Sequence, residues 1–131
     1  MTNEPDAAVT WKAEPDEHDY PAAASYLALI APPAQVAELV NQLQSAPLQH
    51  FKAKDVLRAA ALPLLPVDNV HVADDLAKVR KGKRLSPVLI VRGDLVGGIA
   101  AQIADGYHRV CAGYHLDENT DIPCRIVASP S

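Results

Sequence analysis

An alternating run at 99–104 gives way at Asp105-Gly106 to a helix-patterned run from Tyr107, and this junction constrains the fold more than any other feature. Ile99, Ala101 and Ile103 alternate with Ala100, Gln102 and Ala104, which is the period of a strand. Gly106 permits a tight turn and lets main-chain N–H groups approach a ligand closely. Asp105-Gly106-Tyr107-His108-Arg109 therefore opens a helix with a histidine and an arginine beside its unsatisfied amides. The helix N-terminus adds about half a positive charge, so phosphate is the natural partner.

The other elements follow from periodicity and punctuation. The run 24–30, Ala-Ser-Tyr-Leu-Ala-Leu-Ile, predicts a strand, ended by Pro32-Pro33. Pro33 suits the first turn of a helix reaching about Ser45, with Val36, Leu39, Val40 and Leu43 on its apolar side. A second helix is expected over 52–61, stopped before Pro63, and the proline-punctuated 62–67 predicts a buried extended connection. A short helix over 72–81 ends at Gly82, which suits a C-terminal cap. Pro87-Val88-Leu89-Ile90-Val91 is the best core strand, Arg92-Gly93-Asp94 with Gly97-Gly98 a reversal, 107–116 a helix and 122–127 a final strand. Mixed α/β packing around a small sheet is the expected fold class.

Charge is uneven. The chain carries −4 overall, yet residues 1–20 hold six acids against Lys12, a net of −5, leaving +1 for residues 21–131. Residues 1–20 are thus expected to form an acidic, flexible leader, and 21–131 a single domain. A nearly neutral body argues against DNA, whose sequence-independent affinity comes from clustered Lys and Arg. Two cysteines, Cys111 and Cys124, make neither a disulfide framework nor a thiolate zinc site. Apolar runs fall short of the ~20 residues of a membrane helix, and the N-terminus lacks the order of a secretion signal, so a cytoplasmic setting is expected with no membrane partner.

The second half of the chain resembles the ParB/sulfiredoxin-like superfamily. The likeness spans about 50–127 and rests on the order of four pieces: the helix with a basic end at 74–81, Ser86-Pro87-Val88-Leu89-Ile90-Val91 after Gly82, Ile103-Ala104-Asp105-Gly106-Tyr107-His108-Arg109-Val110-Cys111-Ala112, and Ile122-Pro123-Cys124-Arg125-Ile126-Val127. The resemblance implies a small mixed sheet flanked by helices, with nucleotide phosphates contacted at the Gly-x-x-Arg turn, 106–109. Such sites serve CTP in partition proteins, ATP in sulfiredoxins and nucleotide in a free serine kinase whose signature is similar to 105–109. Tyr107 stands where sulfiredoxins carry a catalytic cysteine, which disfavours sulfinic-acid reduction. Partition proteins add a DNA-reading helix-turn-helix, whereas four residues follow Val127 here, so centromere recognition is not expected.

Each candidate has two readings. Asp105 either holds a phosphate-bridging magnesium or caps the helix by accepting from its first-turn amides. Gly106 serves a tight turn, phosphate approach, or both. His108 donates to phosphate or moves a proton, or is an exposed histidine. Arg109 is a phosphate ligand or an ion-pair partner. Tyr107 packs, with a wet hydroxyl, or acts as a catalyst. A zinc site from His108, Cys111 and His115 is disfavoured, since Cys111 falls on the apolar face. The basic run Lys78, Arg80, Lys81, Lys83 and Arg84 either extends the anion site or complements the helix dipole. The leading expectation is a nucleotide- or phosphate-binding domain using ATP or CTP with magnesium, as a phosphotransferase or nucleotide hydrolase, with Gly106, Tyr107, His108 and Arg109 as ligands and His108 or Asp105 as catalytic candidates. The alternative is a non-catalytic protein-binding module using the leader and the helix at 33–45 as contact elements.

Overall fold

The computed structural model describes residues 8–129, which fold as a small mixed α/β domain of five helices and one four-stranded sheet. In chain order these are α1 (Asp19–Leu27), α2 (Pro33–Ser45), β1 (Leu48–Lys52), α3 (Ala53–Ala60), α4 (Val70–Arg80), β2 (Val88–Val91), β3 (Gln102–Asp105), α5 (Tyr107–Leu116) and β4 (Asp121–Val127). The sheet order is β1-β4-β2-β3; β2 runs parallel to β4, and the two outer pairings are antiparallel.

Helices cover both faces of the sheet. Val88 and Ile90 of β2 join Val56, Leu57, Val72, Leu76, Val110 and Cys111 in a core beneath α3, α4 and α5. Leu89 and Val91 point the other way, into a second core with Ala23, Leu27, Val36, Leu39 and Leu43 of α1 and α2. A strand buried on both sides needs apolar residues at every position, which is why 88–91 reads as an unbroken apolar run. Asn69 caps α4 by accepting from the amides of His71 and Val72 (3.0 and 3.2 Å), and Gly82 follows α4 at φ +76.

Three expectations change. Residues 24–30 are no strand: α1 covers Asp19–Leu27, placing Ala23 and Leu27 four residues apart on one buried stripe while Leu29 and Ile30 face solvent. Pro21 sits in the first turn and alanine favours helix, so local propensity and the i, i+4 spacing agree. The sheet gains β1, and β3 begins at Gln102, with Ile99 exposed and joined only to Asp94 in an isolated bridge. Residues 8–20 of the expected leader also pack on the body. Residues 1–7 lie outside the described residues, but Trp11 bridges Leu85, the Lys12 amide donates to the Leu85 carbonyl at 2.8 Å, and Pro15 and Asp19 are buried. The leader carries too little apolar area to form a core alone; it is anchored on one the body supplies. Among the described residues no helix is long and apolar enough to cross a membrane.

Candidate functional site

The strand-to-helix turn stands where β3 hands the chain to α5. Gly106 is the N-cap residue at φ +110, ψ 15, and a Cβ there would meet Arg109 Nη2 at 2.8 Å and Val88 Cγ2 at 2.9 Å. Backbone conformation and packing therefore both demand glycine, whether or not a ligand approaches. Among the described residues no side chain caps α5, so Asp105 is not the N-cap that its position predicts. Its carboxylate pairs instead with the Arg109 guanidinium one helical turn on.

Arg109 is a hub between distant parts of the chain. Its side chain is 12% exposed and reaches Asp105, the Ser86 hydroxyl and, at 3.4 Å, Asp19. Asp19 in turn accepts from Ser86 Oγ at 2.8 Å and from the Asp16 amide at 3.1 Å. Two carboxylates thus flank one guanidinium, with the segment before β2 and the leader tied to α5. Burial pushes the Asp105 carboxyl above the usual carboxylate range, opposed by Arg109 and reinforced by Asp19.

This hub forms one wall of a polar cleft of about 610 Å3 lined by α4, α5, the leader and the 83–86 segment. Five cations (Lys12, Lys78, Lys83, Arg84, Arg109) and five carboxylates (Asp16, Asp19, Asp74, Asp75, Asp105) line it, together with His18, His71 and His108. Lys12 pairs with Asp16 at 2.8 Å and holds its carboxyl below the ordinary value. Among the described residues Lys83 and Arg84 enter no ion pair. They are the cations of the basic run that face the cleft unopposed, whereas Arg80 and Lys81 do not line it.

The His108 ring packs against His71 of α4, with centroids 4.7 Å apart and the planes tilted by 51°. Burial, then the neighbouring imidazole, hold its pKa below the ordinary value, so its neutral form is favoured and can accept a proton. Asp75, one turn beyond His71, is a buried carboxylate whose one ion pair among the described residues is the long 3.9 Å contact with Lys78. Burial raises its pKa. Tyr107 turns away: its hydroxyl donates to the Pro63 carbonyl at 2.6 Å, and its side chain does not line the cleft.

The structure does not assemble His108, Cys111 and His115 as metal ligands. Cys111 is fully buried, and His115 Nε2 lies 2.7 Å from the Leu65 carbonyl oxygen. Among the described residues, the group whose ligand atoms lie within 4.8 Å of one another is Asp16, His18 and Asp19. Five contributors escape sequence reasoning: Asp19, Ser86, His71, Asp75 and the leader's Lys12. Of these only His71 and Asp75 leave a local signal, the i, i+4 spacing on a helix. The α2 face offered as a contact element is occupied, with Val36, Leu39 and Leu43 buried against the sheet.

Compared with known proteins, the chain matches no protein-family model, no curated protein and no solved structure.

Proposed function

We propose that the chain is a small nucleotide- or phosphate-binding domain of the ParB/sulfiredoxin-like kind, in which the polar cleft receives the phosphate groups of ATP or CTP. One observation carries the reading: an α5 N-terminus without a side-chain cap opens on the same cleft as Lys83 and Arg84, two cations without an ion-pair partner among the described residues. Main-chain amides at 107–109 and two exposed cations suit an oxyanion that the cleft's own carboxylates would otherwise repel.

Arg109 takes a different part from the one its motif suggests. Held by Asp19, Asp105 and Ser86, it positions the turn and is a ligand only after exchanging a carboxylate for a phosphate. A divalent ion would be held at the cleft wall by Asp16 and Asp19, hard oxygen donors that would exchange their present Lys12 and Arg109 partners for it, while Asp105 stays with Arg109. Magnesium bound there would supply charge neutralisation for phosphoryl oxygens. For transfer to a hydroxyl or to water, His108 is the group placed to accept the proton, with Asp75 beside it.

A thermal-shift series with ATP, CTP and inorganic phosphate, each with and without magnesium, tests this. Ligand at a hundredfold excess over Kd stabilises by about 2.7 kcal/mol. That stabilisation disappears in the exposed double variant Lys83→Ala/Arg84→Ala. No shift with any phosphorylated ligand overturns the proposal.

A further inference from the structure

We propose that two copies of this chain pair across the hairpin end of the sheet, each seating its Leu95-Val96 tip in an apolar groove of the other. The tip lies between β2 and β3 and is closed by backbone hydrogen bonds between Asp94 and Ile99 of 2.8 and 2.9 Å. Leu95 and Val96 are 97% and 98% exposed, and Ile99 beside them is 62% exposed. With Ile99 they form a contiguous apolar patch, the kind of surface that marks an interaction site. Beside the tip a groove of about 460 Å3 runs between α3 and the sheet, walled by Phe51, Val56, Ile90, Ile103 and Ile126, with Leu95 on its rim.

A protruding apolar knob and an apolar hole thus share one face of one chain. A different protein needs only one of them. A two-fold related copy uses both at once, because in an isologous contact each surface meets its own counterpart. The rim charges favour the same occupant. Arg92 and Asp94 flank the tip, both line the groove, and neither forms an ion pair among the described residues. The other rim charges, Asp55 and Arg58, pair with each other at 3.4 Å. A nucleic acid or a peptide of one sign leaves Arg92 or Asp94 unmatched, whereas a second copy brings Asp94 to Arg92 and Arg92 to Asp94.

Sedimentation equilibrium of the full chain over micromolar to millimolar concentration is the test. The expected species has twice the 14.0 kDa chain mass. Leu95→Asp and Val96→Asp lie at fully exposed positions, so circular dichroism should show an unchanged fold while dimer Kd rises at least about thirtyfold. Asp94→Arg and Arg92→Asp each weaken the pair by opposing like charges, and the double exchange restores it. A monomer up to about 0.5 mM, a dimer indifferent to Leu95→Asp, open-ended growth with concentration, or a double exchange as weak as its singles would each overturn the two-fold arrangement.

Discussion

Replacing Arg109 by Met removes the guanidinium from the hub while keeping most of the side-chain volume, and its cost can be worked from the contacts. Asp19 and Asp105 both lose their cation, and their side chains are only 5% and 19% exposed. Breaking a buried pair by removing one partner costs about 3–5 kcal/mol. Asp19 keeps Ser86 Oγ, the Asp16 amide and, at 3.4 Å, His18 Nε2, which places the cost at the lower end, about 3 kcal/mol. With an unfolding entropy of about 2.1 cal/mol/K per residue, 131 residues give about 0.27 kcal/mol per degree, so Tm falls by about 11 °C. Urea unfolding followed by circular dichroism measures the loss. The sign with pH is fixed as well: Asp105, already pushed up by burial, loses the cation that opposes that push, so the folded variant holds the proton more tightly than the unfolded chain. The deficit is therefore largest at neutral pH and shrinks as pH falls through the carboxylate range. Adding Asp105→Asn should recover a large part of the loss, because Asp105 is the carboxylate whose opposing cation is removed. A single variant within about 0.5 kcal/mol of wild type, or a double variant no better than the single, would refute the hub.

Gly106→Ala should lose about 2–4 kcal/mol in the same unfolding assay, because φ +110 and contacts at 2.8 and 2.9 Å oppose a Cβ; a neutral result would mean the turn relaxes freely. Asp75→Asn should stabilise the fold at neutral pH by about 1 kcal/mol, since a weakly paired buried carboxylate becomes neutral. Its raised folded pKa means the wild type recovers that stability as pH falls, so the two proteins should converge in acid, and a gap that widened there would contradict the assignment. His108 should titrate by NMR with a midpoint below 6.5, so its contribution to stability is present above that pH and lost as pH falls through the folded pKa; a midpoint above 6.5 would contradict its burial beside His71. Cys124, fully buried with its thiol pushed up to about 12, should react with a disulfide reagent only on unfolding, and prompt labelling of the native protein at pH 8 would rule that out.

Elements whose local pattern and tertiary role coincide were legible in the sequence. Pro33 fixed the start of α2, and its apolar spacing gave the buried face. The unbroken run at 88–91 marked the strand covered on both sides. The junction at Gly106 was placed correctly because only a turn residue separates two different periods. Misreadings arose where apolar content and periodicity pointed apart. Leu29 and Ile30 made 24–30 look like a strand, although the buried spacing was that of Ala23 and Leu27. β1 was missed because Gln49, His50 and Lys52 give an edge strand a polar outline. The hub was invisible for a stronger reason: Asp19 and Arg109 are ninety residues apart, and no local rule pairs a carboxylate in an acidic leader with a guanidinium at a helix start. The leader's role in walling the cleft follows only from that contact, together with the Trp11–Leu85 bridge.

The most direct test of the account is a two-dimensional amide NMR titration of the full chain with ATP and magnesium. A phosphate site at the start of α5 should give dose-dependent shifts concentrated on the amides of 106–109 and on 83–86, reproduced in part by inorganic phosphate and absent from the hairpin at 94–99. Shifts scattered over the surface, or none near Gly106 at millimolar nucleotide, would contradict a phosphate site at the start of α5.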